Sequence, residues 1–122
     1  MLVELVTTGS ELLLGEITNY NSAYLSKKLN EIGYSVIYHT TVGDNPQRME
    51  EALKVALSRV DLVITTGGLG PTQGDMTKII GARLMELPLV YDDAIAESVR
   101  QWVCIHHGGA AMTENQKRQA MV

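Results

Sequence analysis

A buried-strand pattern that runs directly into a cluster of glycines most constrains what this chain can fold into. The segment 61–66 is short, rich in β-branched residues and mostly apolar, and Gly67, Gly68 and Gly70 follow it at once. After the glycines, apolar residues recur at helical spacing from 76 to 87. This change of period is typical of a buried parallel strand followed by a helix. We therefore predict that the glycine loop, residues 67–70, joins a strand to a helix.

The same alternation runs along the whole sequence. Apolar β-forming runs are each followed by a glycine-containing loop and then by apolar residues at spacings of three and four. The predicted strands occupy 2–8, 34–42 and 61–66. The predicted helices occupy 19–32, 46–60 and 76–87. A further helix ends at Gly108–Gly109, and a short final helix begins with a capping box at 113–116. Strands and helices that alternate over short links form right-handed crossovers. We predict an α/β fold of three layers, with a mostly parallel sheet and helices on both faces.

Helix starts are also marked in the sequence. The first long helix has Asn19, Asn21 or Ser22 available as its N-cap residue, and the second begins with Asn45 followed by Pro46. Asn and Ser side chains accept hydrogen bonds from the first free N–H groups of a helix, and proline suits its first turn. We predict that these polar residues fix where the two helices begin.

Length and composition limit the class of protein. The chain has 122 residues, with 14 acidic and 10 basic side chains and a formal net charge of −4. We expect a single domain over 1–122 and no nucleic-acid partner, because phosphate-tracking proteins need clustered Lys and Arg. Cys104 has no partner for an internal disulfide, and no apolar run reaches the ~20 residues of a membrane span, so we expect a cytoplasmic protein without membrane contact. The last helix reaches Val122 without a stop signal, which predicts a domain truncated at its C-terminal end.

Each loop after a predicted strand carries one carboxylate. Glu11 follows the first strand, Asp44 follows the second, and Asp75 follows the third beyond the glycine loop. The carboxyl ends of parallel strands share one edge of the sheet, and ligands bind there in open α/β folds. Glycines let backbone N–H groups approach an anion, and Lys78 is close enough in sequence to reach one. We therefore expect the three carboxylates to converge beside the glycine loop.

The glycine loop matches neither standard phosphate-binding motif. Gln73 stands where the third glycine of G-x-G-x-x-G belongs, and the Lys-Ser/Thr ending of a Walker A loop is missing. This excludes a P-loop ATPase and a Rossmann dehydrogenase. The alternative is a strained turn with no ligand, in which Asp75, three residues after Thr72, only caps the helix. A functional Asp75 beside a phosphate would repel it unless a divalent cation lies between them or the carboxylate faces a hydroxyl group.

Other residues are assigned structural roles. Glu11 and Asp44, each taken alone, are most simply solvated loop acids. Cys104, His106 and His107 do not share one helix face, so we expect no metal site there. Trp102 lies on an apolar helical stripe and is predicted to belong to the core.

Several ordered motifs together resemble one known family. They are 8–15 (Thr-Gly-Ser-Glu-Leu-Leu-Leu-Gly), the helix start at Asn19, Asn21 and Ser22, 42–45 (Val-Gly-Asp-Asn), 66–72 (Thr-Gly-Gly-Leu-Gly-Pro-Thr), and Asn115 with Arg118, Gln119 and Ala120. In this combination the chain resembles the N-terminal domain of CinA-type competence/damage-inducible proteins, which belongs to the wider MoaB/MogA molybdopterin-binding fold. The resemblance covers nearly the whole chain.

The resemblance implies a set of site residues. Catalytic roles fall on Asp44, Asp75 and Glu11, and a divalent metal ion is implied at Asp75 and Asp44. Contacts to a nucleotide-sugar or pterin fall on Gly9, Ser10, Gly67, Gly68, Gly70 and Thr72. One departure matters, because CinA-type sequences usually read Thr-x-Asp-Asp-x-Thr where this chain has Gly74 in place of the first acid. If that acid helps to hold a metal ion, activity is reduced here.

The resemblance leaves three functions open. The first is metal-dependent hydrolysis of ADP-ribose to AMP and ribose 5-phosphate, favoured by the CinA-like segment 8–15. The second is molybdopterin binding or adenylyl transfer in molybdenum cofactor biosynthesis, and the third is a non-catalytic oligomerising module. We also expect a homo-oligomer. Full-length CinA proteins carry an additional deamidase domain, which is absent from this sequence.

Overall fold

The structure is a computed structural model that describes residues 1–70, 72, 75–109 and 111–122. Its strands are β1 (Leu2–Thr8), β2 (Ser35–Val42) and β3 (Leu62–Thr66). Its helices are α1 (Ser10–Leu13), α2 (Tyr20–Glu31), α3 (Pro46–Arg59), α4 (Thr77–Leu84), α5 (Asp93–His106) and α6 (Glu114–Lys117), and a 3-10 turn follows at Arg118–Ala120. No helix in the described ranges is both long and apolar enough to cross a membrane.

The strands form one parallel sheet in the order β2-β1-β3. β1 is central, and its Val6 is paired with Thr40 of β2 and with Thr65 of β3. All six of its residues from Val3 to Thr8 are buried, as expected for a strand covered on both faces. The predicted parallel α/β sheet is therefore confirmed.

Helices cover both faces of the sheet. α2 packs on one face, where the buried and half-buried apolar residues are Val3, Leu5, Leu25, Leu29, Tyr34, Val36, Leu62 and Ile64. α3 and α4 share the other face, with Val6, Val42, Met49, Leu53, Ala56 and Ile80 at its centre. Because the neighbouring strands β1 and β3 lead to helices on opposite faces, a crevice opens between their carboxyl ends.

The predicted helix starts are confirmed. Asn19 is the N-cap residue of α2 and accepts from the Ser22 N–H at 3.1 Å, and Asn45 accepts from the Arg48 N–H at 2.9 Å with Pro46 in the first turn of α3. The capping box at Thr113 is also present. Of the three candidates for the first long helix, the structure selects Asn19. Each cap satisfies a free N–H group three residues away, which is why the sequence places these helix starts to within a few residues.

Two segments differ from the prediction. The loop after β1 contains one helical turn, α1, whose Leu14 N–H donates to the Ser10 carbonyl. α4 ends at Leu84 and not at 87, because Glu86 takes a positive φ of 55° and the Leu87 N–H donates back to the Ala82 carbonyl. That hydrogen-bond pattern closes a helix, and Pro88 prevents its continuation.

The prediction that Trp102 belongs to the core is wrong. Its side chain is 53% exposed and stacks on His106, with ring centroids 4.4 Å apart. α5 packs against the C-terminal 3-10 turn, and its fully buried residues are Ala96 and Val103. The small partner surface covers a narrower stripe of α5 than the sequence pattern suggests.

Candidate functional site

The three predicted carboxylates surround one small cleft at the carboxyl edge of the sheet. This acidic cleft has a volume of about 200 Å³ and is lined by Thr8, Gly9, Glu11, Asp44, Gly68, Thr72 and Asp75. Each of the three loops that follow a strand contributes at least one of these residues. The structure therefore brings together Glu11, Asp44 and Asp75, although they are up to 64 positions apart in the sequence.

Asp75 is held by Thr72 within a tight turn. Its Oδ2 accepts from the Thr72 hydroxyl at 2.5 Å and from the Thr72 N–H at 3.0 Å. The hydroxyl hydrogen bond is the main reason that the pKa of Asp75 lies below its ordinary value, and N–H groups of Thr72 and Gly70 add to it. Asp75 is therefore ionised at neutral pH.

Asp75 does not cap α4, so the capping alternative is wrong. The N-cap residue is Met76, which makes no side-chain cap, and the carboxylate of Asp75 points back to Thr72. Gly74, which replaces an acid of related sequences, lies outside the described residues, as do Pro71 and Gln73.

Asp44 and Ser10 connect the loops after β2 and β1. The Ser10 N–H donates to Asp44 Oδ2 at 3.2 Å, and the Asp44 N–H donates to Ser10 Oγ at 3.1 Å. This reciprocal pair fixes one wall of the acidic cleft. Glu11, in α1, completes the wall, and its Oε2 lies so near Gly9 that a Cβ there would come within 2.9 Å.

The glycine loop approaches β1 more closely than any side chain would allow. Gly67 and Gly68 have φ values of 87° and 60°. A Cβ on Gly67 would lie 2.2 Å from the Thr8 carbonyl oxygen, and one on Gly68 would lie 2.5 Å from Thr77 Oγ1. The Thr77 hydroxyl donates to the Gly67 carbonyl at 2.7 Å and anchors the loop. The turn itself requires glycine at these two positions, with or without a ligand.

Two larger clefts flank the acidic cleft. The Tyr20 cleft has a volume of about 560 Å³ and lies at the carboxyl ends of β1 and β3, lined among others by Thr8, Leu12, Ile17, Tyr20 and Gly67. On the other side, the Arg118 cleft has a volume of about 390 Å³ and is lined by Gly70, Thr72, Asp75, Met76, Lys78, Ile79, Leu89, Arg118 and Met121. Thr8 lines both the Tyr20 cleft and the acidic cleft, and Thr72 and Asp75 line both the acidic cleft and the Arg118 cleft. The three clefts are therefore contiguous, with the acidic cleft in the middle.

Several residues that line these clefts were not predicted as site residues, and Tyr20 and Arg118 are the two with functional side chains that matter most below. Tyr20 falls inside the predicted helix 19–32 and was not named as a candidate, and Arg118 appeared only within the CinA-like motif at the C-terminal end. The CinA-like motif was the sequence signal for Arg118, since nothing else in the neighbouring sequence explains that residue. No comparable sequence signal marks Tyr20, which directly follows Asn19.

The donor set of the acidic cleft fits one class of metal site. Asp44 and Asp75 are carboxylates at the same cleft, but no group of three His, Cys, Asp or Glu side chains in the described ranges could hold a metal ion by itself. Magnesium is commonly held by one or two carboxylates, with water and substrate phosphates completing its shell. The residues therefore suit a cation shared with a phosphorylated substrate, and they do not suit a cation held by protein alone.

Comparison with known proteins assigns the family. Residues 4–121 match the profile of the family described as "Probable molybdopterin binding domain". The chain belongs to this family. It is 48% identical over all 122 residues to a competence-damage inducible protein of Bacillus cytotoxicus, and it spans 29% of that protein's length. The predicted resemblance to CinA-type proteins is thereby confirmed.

Solved structures show the same fold. A CinA protein of unknown function from Thermoplasma acidophilum superposes with a TM-score of 0.82 at 31% identity, covering 99% of this chain and 69% of that one. The molybdopterin biosynthesis enzyme MoaB from Thermus thermophilus superposes with a TM-score of 0.64 at 24% identity, covering 82% of this chain and 62% of that one. The predicted MoaB/MogA-like architecture is confirmed.

Proposed function

We propose that this domain hydrolyses the phosphoanhydride of a nucleoside diphosphate sugar, with ADP-ribose as substrate and AMP and ribose 5-phosphate as products. The observation that carries this proposal is the acidic cleft, in which Glu11, Asp44 and Asp75 face the glycine loop between two larger clefts. A substrate with two organic halves joined by a charged pyrophosphate matches this arrangement of a small polar cleft between two larger ones.

The reaction requires a water molecule to attack one phosphorus atom. The bond from that phosphorus to the bridging oxygen breaks, the bridging oxygen leaves with the other phosphate, and the water gives up its protons. Glu11 is assigned to orient the attacking water and accept a proton from it. Gly68 presents backbone at the same cleft, where N–H groups can contact phosphate oxygens without obstruction from a Cβ atom.

Asp44 and Asp75 are the residues that would hold a divalent cation, whose chemistry is to neutralise negative charge on the phosphoanhydride. Without a cation, two carboxylates and a pyrophosphate would repel each other. The hydrogen bonds from Thr72 that lower the pKa of Asp75 stabilise its charged carboxylate, which is the form that binds a cation.

The second candidate function is binding of a phosphorylated pterin related to molybdopterin. The observation in its favour is the family match over 4–121, since the family carries the description "Probable molybdopterin binding domain". The Tyr20 cleft is large enough for a two-ring heterocycle of either kind. The third candidate, an oligomerising module without catalysis, predicts binding of neither ligand.

The experiment is a turnover assay on the 122-residue chain. ADP-ribose is incubated with Mg²⁺, Mn²⁺ or chelator, and AMP and ribose 5-phosphate are measured by phosphorus NMR. We expect both products in equal amounts, only with added cation. The double variant Asp44→Asn/Asp75→Asn should lose turnover, whereas Asp93→Asn, in the first turn of α5 and outside these clefts, should keep it.

Titration calorimetry separates the candidate functions. Tight binding of a molybdopterin-like pterin without turnover of ADP-ribose would favour the second function. If neither ligand binds or turns over and the chain still assembles into an oligomer, the third function is favoured. We also propose the cytoplasm as the compartment, because Cys104 is an exposed free thiol in the described structure.

A further inference from the structure

The Arg118 cleft contains a cation that the proposed hydrolysis does not use. Arg118 lines this cleft together with Thr72 and Asp75, the two residues that it shares with the acidic cleft. Within the described ranges, the ion pairs of the chain do not include Arg118. A guanidinium group that has no carboxylate partner and lies at the rim of a cleft is available to an anionic ligand.

Lys78 fixes the backbone that carries Arg118. Its ammonium donates to the Arg118 carbonyl at 3.0 Å and to the Gln119 carbonyl at 3.5 Å, so the start of α4 is joined to the C-terminal 3-10 turn. The same turn is held from the other side, because the Asp92 N–H donates to the Ala120 carbonyl at 2.8 Å. Arg118 is thus presented by an anchored segment although its own side chain is exposed.

The position of Arg118 relative to Asp75 indicates what it can bind. Asp75 would repel an anion, so an anion bound next to it needs a positive charge on its other side. Arg118 supplies that charge, and its planar guanidinium group can donate two parallel hydrogen bonds to a phosphate group. Met76, Ile79 and Leu89 form an apolar wall that suits a sugar ring better than a second metal ion.

We propose that Arg118 binds the phosphate of the sugar-phosphate half of the substrate, and that Lys78 is the positioning residue that holds Arg118 over the cleft. This inference rests on the proposed function for the identity of the substrate. The base then lies in the Tyr20 cleft, on the opposite side of the acidic cleft, where Tyr20 offers an aromatic surface. The proposed direction of the substrate therefore runs from the base in the Tyr20 cleft to the sugar phosphate in the Arg118 cleft.

The test uses the two products as separate probes in the absence of metal. Binding of ribose 5-phosphate and of AMP to the 122-residue chain is measured by calorimetry. Arg118→Gln should weaken ribose 5-phosphate binding by about tenfold or more and leave AMP binding unchanged, because one charge-assisted bidentate contact is lost. Arg118→Lys should recover part of the loss. Lys78→Met should weaken ribose 5-phosphate binding in the wild-type background and add no further loss in the Arg118→Gln background, because Lys78 acts through Arg118. A further loss in the double variant would make Lys78 a direct ligand and overturn its positioning role.

Two surface cations serve as matched controls. Arg83→Gln changes an exposed arginine of the same helix as Lys78, and Lys54→Met changes an exposed lysine of α3, and both residues lie outside the Arg118 cleft. Neither should alter ribose 5-phosphate binding. Equal losses in these controls would mean that net charge alone attracts the ligand, and the proposal would be overturned. Equal weakening of AMP and ribose 5-phosphate by Arg118→Gln would overturn the proposed direction.

Failure of this proposal is distinguishable from failure of the proposed function. If the wild-type chain hydrolyses ADP-ribose and Arg118→Gln keeps the wild-type KM, the hydrolase stands and the role of Arg118 is refuted. If ADP-ribose is not hydrolysed but ribose 5-phosphate binding still depends on Arg118, the phosphate site stands without the hydrolase. For an active enzyme, we expect Arg118→Gln to raise KM more than it lowers kcat, because the contact is present in the bound ground state.

Discussion

Glu4 is a buried carboxylate in the central strand. It is 0% exposed and accepts from Arg59 Nε at 2.8 Å, from Arg59 Nη2 at 2.7 Å and from the Thr40 hydroxyl at 2.6 Å. Arg59 lies over the Tyr38 ring, 3.8 Å from its centroid. The bidentate contact with Arg59 outweighs burial and lowers the pKa of Glu4 below its ordinary value. This residue joins the last turn of α3 to β1 and β2.

We expect Glu4→Gln to lower the free energy of unfolding by about 2 kcal/mol, because a buried charge-assisted contact to Arg59 becomes a neutral one. Glu31→Gln, which changes an exposed carboxylate paired with Lys28, should leave the free energy of unfolding unchanged. Urea titration at pH 7 measures both variants. Equal stability of the Glu4 and Glu31 variants would show that the buried pair contributes nothing.

The pH dependence follows from the same pKa shift of Glu4. Because the folded-state pKa is lowered, the stabilisation is fully present above the unfolded-state value of about 4.3 and is lost as pH falls through the folded-state pKa. Glu4→Gln should therefore show a smaller loss of stability between pH 5 and about pH 3 than the wild type. Parallel stability curves would contradict this assignment.

We expect Asp75→Asn to reduce turnover of ADP-ribose by about 100-fold while the Tm changes little, because asparagine keeps an acceptor for Thr72 but carries no charge for a cation. The wild type and Asp93→Asn provide the comparison. Unchanged turnover would mean that Asp75 only stabilises its turn with Thr72. A large loss of stability with a proportionate loss of activity would indicate a structural role for the whole loop.

At the scale of elements, the glycine loop connects β3, α4 and the end of β1 through backbone packing. The hydroxyl of Thr77, the first residue of α4, donates to the Gly67 carbonyl and lies 3.4 Å from Thr8 Oγ1. The loop therefore sets both the start of α4 and one wall of the acidic cleft. Changes in this loop should affect stability and ligand binding together.

We expect Gly67→Ala to destabilise the fold by about 3 kcal/mol or more, because its Cβ would overlap the Thr8 carbonyl oxygen at 2.2 Å. Gly15→Ala is the matched control. Gly15 also has a positive φ, 73°, but a Cβ there meets nothing within 4 Å, so only the conformational cost of about 1 kcal/mol remains. Thermal unfolding compares the two variants. Equal losses would mean that the loop can move away from β1.

At the scale of the whole molecule, the segment from α1 to α2 carries a run of exposed apolar side chains, called the apolar patch below. Leu13, Leu14, Ile17, Tyr20 and Tyr24 follow one another from α1 to α2, and each is more than half exposed. An exposed apolar patch on a small domain is typical of a surface that contacts another protein. The expected homo-oligomer would bury part of this patch, and because Ile17 and Tyr20 also line the Tyr20 cleft, that cleft would lie at the edge of the interface.

We expect light scattering coupled to size exclusion to give a multiple of the 13.4 kDa chain mass. Leu14→Ser, at the most exposed leucine of the patch, should shift the mass toward the monomer, since apolar burial is lost. Ile105→Ser, at a similarly exposed apolar residue on α5, should leave the mass unchanged. A monomeric wild type would refute the prediction.

The sequence by itself determined the order of the strands and long helices, the caps at Asn45 and Thr113, and the glycine loop. Asn19 and Asn45 cap their helices through partners three residues away, and the apolar periods of β1 and α3 report burial along one element at a time. Each of these features depends on neighbours in the chain. The sequence also predicted that Glu11, Asp44 and Asp75 lie at one edge of the sheet, because parallel strands place their carboxyl ends together.

Only the tertiary structure decided which side chains from distant segments meet. The apolar run 2–8 gave no sign that Glu4 would be buried against Arg59, and the stripe on α5 gave no sign that Trp102 would remain exposed. Arg118 reaches the cleft of Asp75 because Lys78 holds the C-terminal turn against α4. These outcomes depend on the area and charge of the partner surface. A local sequence pattern records the period of an element, but it contains no information on what packs against it.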